Sequence, residues 1–383
     1  MTRVGVAFLA LLLAGLASAA GPASERPVAI VGCEGVYYER PGKPQLLIVS
    51  DLPLEASAHT AMHQMTQAIK LTLKERGFRA GRYSVGYVVC DDSGPTGSWD
   101  AKHCKRNARA AARNGAAVGM IGTLDSGCAR SELPVLGRSK IVLVSPLNTA
   151  PDLTRSRRAS VARLSAPDDA QAAAAALFLR QEGVRTVAAL SDGTRRGDAY
   201  RAAFVRAARR LGVRTVAHGR AAGAYAAGAL SPRSRGRLLA THRLAPAGPI
   251  VLSAGYGPAA QLAAEVGPLA EGMYLVVAGV PVERLPAAGA RFVKRFETAI
   301  GTSSHPYAVY AAQAAEVLLG AVAASDGTRA AVARAVLATK VAQGLVGPLS
   351  FDARGDPRTA PVTIFRVHDK GAHIVRVVHS GLP

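Results

Sequence analysis

The sequence predicts an α/β protein of two doubly wound parallel-sheet lobes, and three observations carry that expectation. Short apolar runs alternate with helix-length stretches along much of the chain, which is the rhythm of βαβ units. The alternation comes in two series, interrupted between Leu164 and Pro167. The chain of 383 residues is also longer than a single hydrophobic core usually serves.

The first series opens with the strand-like run Leu46 to Ser50, followed by an amphipathic stretch from Ala56 to Arg76. Ser84 to Cys90, Val118 to Ile121 and Ile141 to Val144 read as strands, and Lys102 to Asn114 and Ala129 to Gly137 read as helices between them. The second series holds the helices Asp168 to Glu182 and Asp198 to Leu211 and the strands Thr186 to Leu190 and Val213 to Ala217. From Gly219 to Gly248 there is no Val, Ile, Phe, Met or Trp, so this stretch is expected to supply no buried strand. Ile250 to Ser253 restarts the sheet, Leu262 to Val266 is helical, and Tyr274 to Ala278 is a strand. Three helical stretches then run to about Ala338, and Pro361 to Val367 with Ile374 to Val378 form a closing hairpin. No repeat of solenoid period is present.

Composition sets the compartment. Residues 1–20 carry one Arg, an apolar run from Val4 to Leu16 and the small residues Ala17-Ser18-Ala19. That is the pattern of a cleaved signal peptide, so the protein is expected in the periplasm. No Cys follows the Leu-Ala-Gly-Leu stretch to take a lipid, and no later apolar run spans a bilayer, so no stable membrane insertion is expected. The formal charge of +21 is large, but only nine of the 47 basic residues are Lys, and Arg and Ala are both abundant. That bias suits a high-GC coding sequence, and without a basic motif rich in aromatic residues no nucleic-acid partner is expected. A basic surface still steers small anions.

Cys33, Cys90, Cys104 and Cys128 make an even set in an oxidising compartment. Their spacing is not that of a paired C-x-x-C zinc site, so two disulfides are expected, with three pairings possible. His59 and His63 stand four apart on a helix but have no evident third ligand, so neither a metal nor a cofactor is expected. Asp91-Asp92 follows a strand, where loop carboxylates are ordinary. With no nucleophile elbow, phosphate loop or H-E-x-x-H motif, the chain is not expected to be an enzyme.

The richest stretch for function runs from Val118 to Thr154. Two strands there end in small polar loops, Thr123-Leu124-Asp125-Ser126-Gly127-Cys128 and Ser145-Pro146-Leu147-Asn148-Thr149. Loops at the carboxyl ends of parallel strands line the ligand crevice of open sheets. Ser126 opens the following helix, where free N–H groups and a hydroxyl favour a carboxylate; it equally suits a plain N-cap.

These pieces belong to an order that resembles the substrate-binding proteins of branched-chain amino-acid ABC transporters, the type I periplasmic binding proteins. The matching residues include Ser50-Asp51-Leu52-Pro53-Leu54, Cys90-Asp91-Asp92, Ile121-Gly122 with Ser126, and Ser145-Pro146 with Asn148-Thr149. Further along stand Glu271-Gly272-Met273, Pro306-Tyr307, Gly347-Pro348-Leu349-Ser350-Phe351-Asp352 and Gly355-Asp356. The resemblance implies lobe 1 from 28–164 and 279–345, and a shortened lobe 2 from 165–278 and 346–383. Three hinge crossovers near Leu164, Gly279 and Leu345 would join them, and a small-molecule ligand would be held between the lobes for an ABC transporter permease. It also favours the pairings Cys104–Cys128 and Cys33–Cys90, the first because the family fold brings those two loops together. Family ligand roles fall on Ser126, Leu147, Thr149 and Tyr256.

Two family features are replaced. Arg196, in Asp192-Gly193-Thr194-Arg195-Arg196-Gly197, stands where the family usually has a Tyr. It reads either as a ligand-binding guanidinium or as one more solvated Arg beside Arg201, Arg206, Arg209 and Arg210. The family's acidic ammonium partner lies on a strand between the helix ending at Val266 and Glu271-Gly272-Met273, where this chain has only Gly267-Pro268-Leu269-Ala270. An ammonium desolvated without a counter-charge is costly. The ligand is therefore expected to be a small carboxylate-bearing or amino-acid-like solute other than a standard branched-chain amino acid. The alternative is a binding-incompetent or sensor relative that uses the scaffold for protein–protein contacts.

Overall fold

Two parallel-sheet cores, each with helices on both faces, account for nearly all of the buried apolar side chains. The computed structural model describes residues 29–55, 59–155 and 161–381. The expected signal peptide and the side chain of His59 lie outside the described residues.

The first sheet is built from β1 (Leu46–Leu52), β2 (Arg79–Ala80), β3 (Tyr83–Asp91), β4 (Ala117–Gly122), β5 (Val142–Ser145) and β6 (Val161–Arg163), in the order β2-β3-β1-β4-β5-β6. All pairings are parallel except β2 with β3. The strands are buried on both faces because helices α1 (His59–Glu75), α2 (Ala101–Arg113) and α3 (Ser126–Arg138) cover them.

After Arg163 the chain passes to the second body. Helix α4 (Asp168–Gln181) leads into β7 (Thr186–Ser191), α5 (Arg195–Arg210), β8 (Arg214–Val216), β9 (Gly223–Ala227), α6 (Ser234–Leu244), β10 (Ile250–Leu252), α7 (Ala259–Val266) and β11 (Tyr274–Ala278). The chain then returns, and α8 (Ala287–Ile300), α9 (Pro306–Ala323) and α10 (Arg329–Leu337) pack into the first core through Phe292, Phe296, Leu318 and Val332. A two-stranded ribbon, β12 (Lys340–Gly344) with β13 (Gly347–Ser350), precedes β14 (Thr359–His368) and β15 (Gly371–Gly381), which complete the second sheet in the order β15-β14-β11-β10-β9-β7-β8. The third passage between bodies falls between Phe351 and Thr359. It comes later than the expected Leu345 because Leu345, Leu349 and Phe351 still pack in the first core.

One expectation is overturned. The stretch without Val, Ile, Phe, Met or Trp does contain a buried strand, β9, with sequence Gly-Ala-Tyr-Ala-Ala, paired in parallel to both β7 and β10. Alanines serve here because both faces are closely covered, and a Cβ on Gly223 would already meet Val184 Cγ1 at 3.1 Å and Pro249 O at 3.2 Å. Tyr225 supplies the apolar bulk, its ring stacked on Phe204 at 4.1 Å. Helix α7 runs into a single 3₁₀ turn, Gly267–Ala270, and β11 pairs directly with β10. Among the described residues no strand lies between α7 and β11, where the resemblance places the family's acid.

Cys33 is bonded to Cys90 and Cys104 to Cys128. The second bond joins the first turns of α2 and α3 and so anchors the loop that carries Ser126. Replacing both Cys104 and Cys128 with Ser is expected to cost about 3 kcal/mol, from the loop-closure entropy released in the unfolded chain. Urea denaturation checks this; a change under about 1 kcal/mol would show that packing alone holds the two helices.

Candidate functional site

Strands β4 and β5 lie side by side and end together, so their loops meet above the first sheet. Asn148 locks them. Its side-chain amide donates to Thr123 O at 3.0 Å, and its own N–H donates to Ser145 Oγ at 2.9 Å. This buried residue holds the loop geometry, and its signal in the sequence was an Asn within a short polar loop. Asp125, not Ser126, caps α3, accepting the Gly127 N–H at 2.6 Å. The plain-cap reading of Ser126 therefore fails. Its hydroxyl instead accepts the Ala150 N–H at 3.2 Å and stands half-buried at the mouth of the loops.

Helix α5 approaches from the second body. Thr194 caps it through Gly197 N–H at 3.0 Å, and Asp198 in the first turn with Arg209 and Arg210 in the last suits the helix dipole. This start places Arg196 against the first body. Its guanidinium donates to Thr149 Oγ1 at 3.3 Å, lies 3.5 Å from Asp168 Oδ2, and sits over the Tyr200 ring at 5.5 Å. Asp168 is nearly buried, donates its own N–H to Thr149 O at 2.8 Å and accepts the Tyr200 hydroxyl at 2.7 Å. Burial, and then the Asp168 carboxylate, push the Tyr200 hydroxyl well above its usual range, so it remains a donor. Arg196 is nonetheless 58% exposed, so it belongs both to the solvated face of α5 and to the junction between bodies. An ion pair this open contributes about 0–1 kcal/mol.

Ser126 and Arg196 line a cavity of about 700 Å³ between the two bodies. Five guanidinium groups border it, from Arg130, Arg155, Arg195, Arg196 and Arg206, against four carboxylates, from Asp125, Asp152, Asp168 and Asp169. Arg130 is held by Asp152 through two bonds of 2.7 and 2.8 Å. Leu147, Thr149 and Tyr256 are not in the lining, though Thr149 accepts from Arg196 at its edge. Leu147 packs partly buried against the first core, and Tyr256 is 1% exposed, enclosed with Leu252, Leu262 and Val266. Burial, with the Asp192 carboxylate, pushes the Tyr256 hydroxyl up to about 12. The structure thus brings Ser126, Thr149 and Arg196 together and leaves Tyr256 as a core side chain.

Beneath the Ser126 loop lies a feature that sequence reading missed. Asp51 at the end of β1, Asp92 after β3 and Glu132 in α3 are fully buried. Asp51, Glu132 and the Cys128 sulfur lie within 4.8 Å of one another, and Asp92 Oδ2 is 3.2 Å from that sulfur. Asn107 donates to Asp51 Oδ1 at 2.8 Å, but Asp51 Oδ2, Asp92 Oδ1 and both Glu132 oxygens have no donor. Desolvation raises all three, Asp51 to about 7 and Asp92 to about 9, with Asp51 and Asp92 adding like-charge repulsion on Glu132. Two carboxylates cannot share that space. With a proton on one, its O–H donates to the other.

By sequence the chain matches no family model and no curated protein. By structure it superposes over nearly its whole length on solved binding proteins. A leucine-binding protein of Thermotoga maritima matches with a TM-score of 0.68 at 18% identity, covering 87% of this chain and 98% of the other. The fold is that of the type I periplasmic binding proteins. An ABC transporter substrate-binding protein of Desulfitobacterium hafniense, solved with Leu, matches with a TM-score of 0.70 at 19% identity, covering 86% and 99%. A solute-binding protein of an R. palustris ABC transporter, solved with benzoate, matches at 0.65 and 18%, covering 87% and 96%. The latter two neighbours are described as substrate- and solute-binding proteins of ABC transporters. Among the described residues no helix is long and apolar enough to cross a membrane.

Proposed function

We propose that this protein is an exported solute-binding protein that captures a small carboxylate-bearing solute, without a free amino group, between its two lobes and delivers it to an ABC importer. The single observation that carries this reading is that Ser126 and Arg196 line one cavity, with Thr149 accepting from Arg196 beside it. A hydroxyl at a helix start and a guanidinium fork together suit a carboxylate. In support, β10 pairs directly with β11 where the resemblance places the ammonium partner, and benzoate, bound by one structural neighbour, has a carboxylate and no amine. One observation favours the alternative of a binding-incompetent or sensor relative: Arg196 already bridges to Thr149.

A thermal-shift panel of aromatic and branched aliphatic carboxylates tests the reading. A ligand at a hundredfold its Kd adds about 2.7 kcal/mol of stability, whereas no shift across the panel would favour the alternative. Ser126→Ala and Thr149→Ala are each expected to weaken binding of the responding ligand by about 1.5–3 kcal/mol, the worth of a hydrogen bond to a charged group. Calorimetry showing unchanged affinity in both would move the site elsewhere.

A further inference from the structure

The cavity does not end at Arg196. It continues along one face of α5, lined in turn by Arg195, Ala199, Ala202, Ala203 and Arg206. That spacing is a single helical stripe, because residues three and four apart stack on one face. Arg195 and Arg206 are separated along the axis by about 16 Å at 1.5 Å per residue. Between them the wall is alanine, with no side chain beyond Cβ to block a molecule lying along the helix.

The charges follow the same line. Two of the five guanidinium groups are engaged, Arg130 with Asp152 and Arg196 with Asp168. Among the described residues Arg155, Arg195 and Arg206 have no ion-pair partner. The two remaining carboxylates are occupied locally, Asp125 by the Gly127 N–H and Asp169 by the Ala170 N–H. The cavity therefore has Arg195 and Arg196 beside Ser126 at one end, an alanine floor, and Arg206 at the other end.

We propose that the cavity takes an elongated dianion, a linear solute with an anionic group at each end and an unbranched apolar middle. One carboxylate sits at Ser126 and Arg196, the other at Arg206, and the chain lies over Ala199 and Ala202. This rests on the carboxylate reading above and adds to it the second charge and the length of the ligand.

Calorimetry with succinate, adipate, suberate and sebacate, each beside the monocarboxylate of equal length, tests it. The expected result is that at least one diacid binds tenfold or more tightly than its monocarboxylate, and that Arg206→Ala removes this advantage by weakening the diacid. Equal binding of the two series, or an advantage that survives Arg206→Ala, would overturn the dianion and leave the carboxylate reading standing. Failure of both linear series to bind would overturn the dianion, while the aromatic and branched panel above decides the carboxylate reading.

Discussion

Asp356→Ala is expected to lower the unfolding free energy by about 3–5 kcal/mol, the cost of leaving a buried cation without its partner. Arg163, at the end of β6, is 1% exposed. Its Nε lies 2.5 Å from Asp356 Oδ1, and its other nitrogens donate to Ala150 O at 2.8 Å and Thr154 Oγ1 at 3.0 Å. Thr154 in turn donates to Asp356 Oδ2 at 3.0 Å. The backbone closes the knot, because Gly355 O accepts the Arg163 N–H at 3.0 Å. Gly355 has φ +91°, and a Cβ there would lie 1.8 Å from Val161 O, so only glycine fits. This knot ties the third passage between bodies to the end of the first sheet. Urea denaturation measures the loss, and Arg163→Met combined with Asp356→Ala is expected to recover part of it. A loss under about 1 kcal/mol would show that water already reaches the guanidinium.

The buried carboxyls give the second large effect, with an unusual sign. Asp51, Asp92 and Glu132 keep protons in the folded chain at pH values where the unfolded chain has released them. The folded state then binds more protons, so stability falls as pH rises from the ordinary carboxylate range through about 7 for Asp51 and about 9 for Asp92. At about 1.4 kcal/mol per pH unit of displacement for each group, the loss amounts to several kcal/mol. His305 opposes it weakly, since burial lowers its pKa and its contribution grows with pH. Urea titrations from pH 5 to 9 are expected to show declining stability, and Asp51→Asn, which keeps the Asn107 contact, is expected to flatten the decline. Stability that rises with pH in the wild type would show the carboxyls to be ionised and compensated.

The alternation of apolar runs and helices was enough to read both sheets, because parallel strands covered on both faces are written as short apolar runs. Strand β9 escaped that reading: its alanines carry no β signature and are buried only because β7 and β10 flank them. The expectation for Ser126 and Thr149 comes from loops at strand ends, and that for Arg196 from a position where the resembling proteins usually carry a Tyr. Tyr256 did not hold, since sequence gives a loop position and not the direction of a ring, and here the ring turns into the core with Leu262. The carboxyl cluster was invisible for a related reason: Asp51, Asp92 and Glu132 come from three separate elements, and each alone reads as an ordinary polar residue.

The central claim is that this cleft recognises a carboxylate and no ammonium, and a matched pair of ligands tests it most directly. Leucine and 4-methylpentanoate differ only in the amino group, so calorimetry on the wild type and on Arg196→Ala isolates that group. The account predicts that 4-methylpentanoate binds the wild type more tightly than leucine, that added salt weakens it, and that Arg196→Ala weakens it further. Tight leucine binding, undiminished in Arg196→Ala, would contradict it and show that one of the cavity aspartates holds the ammonium.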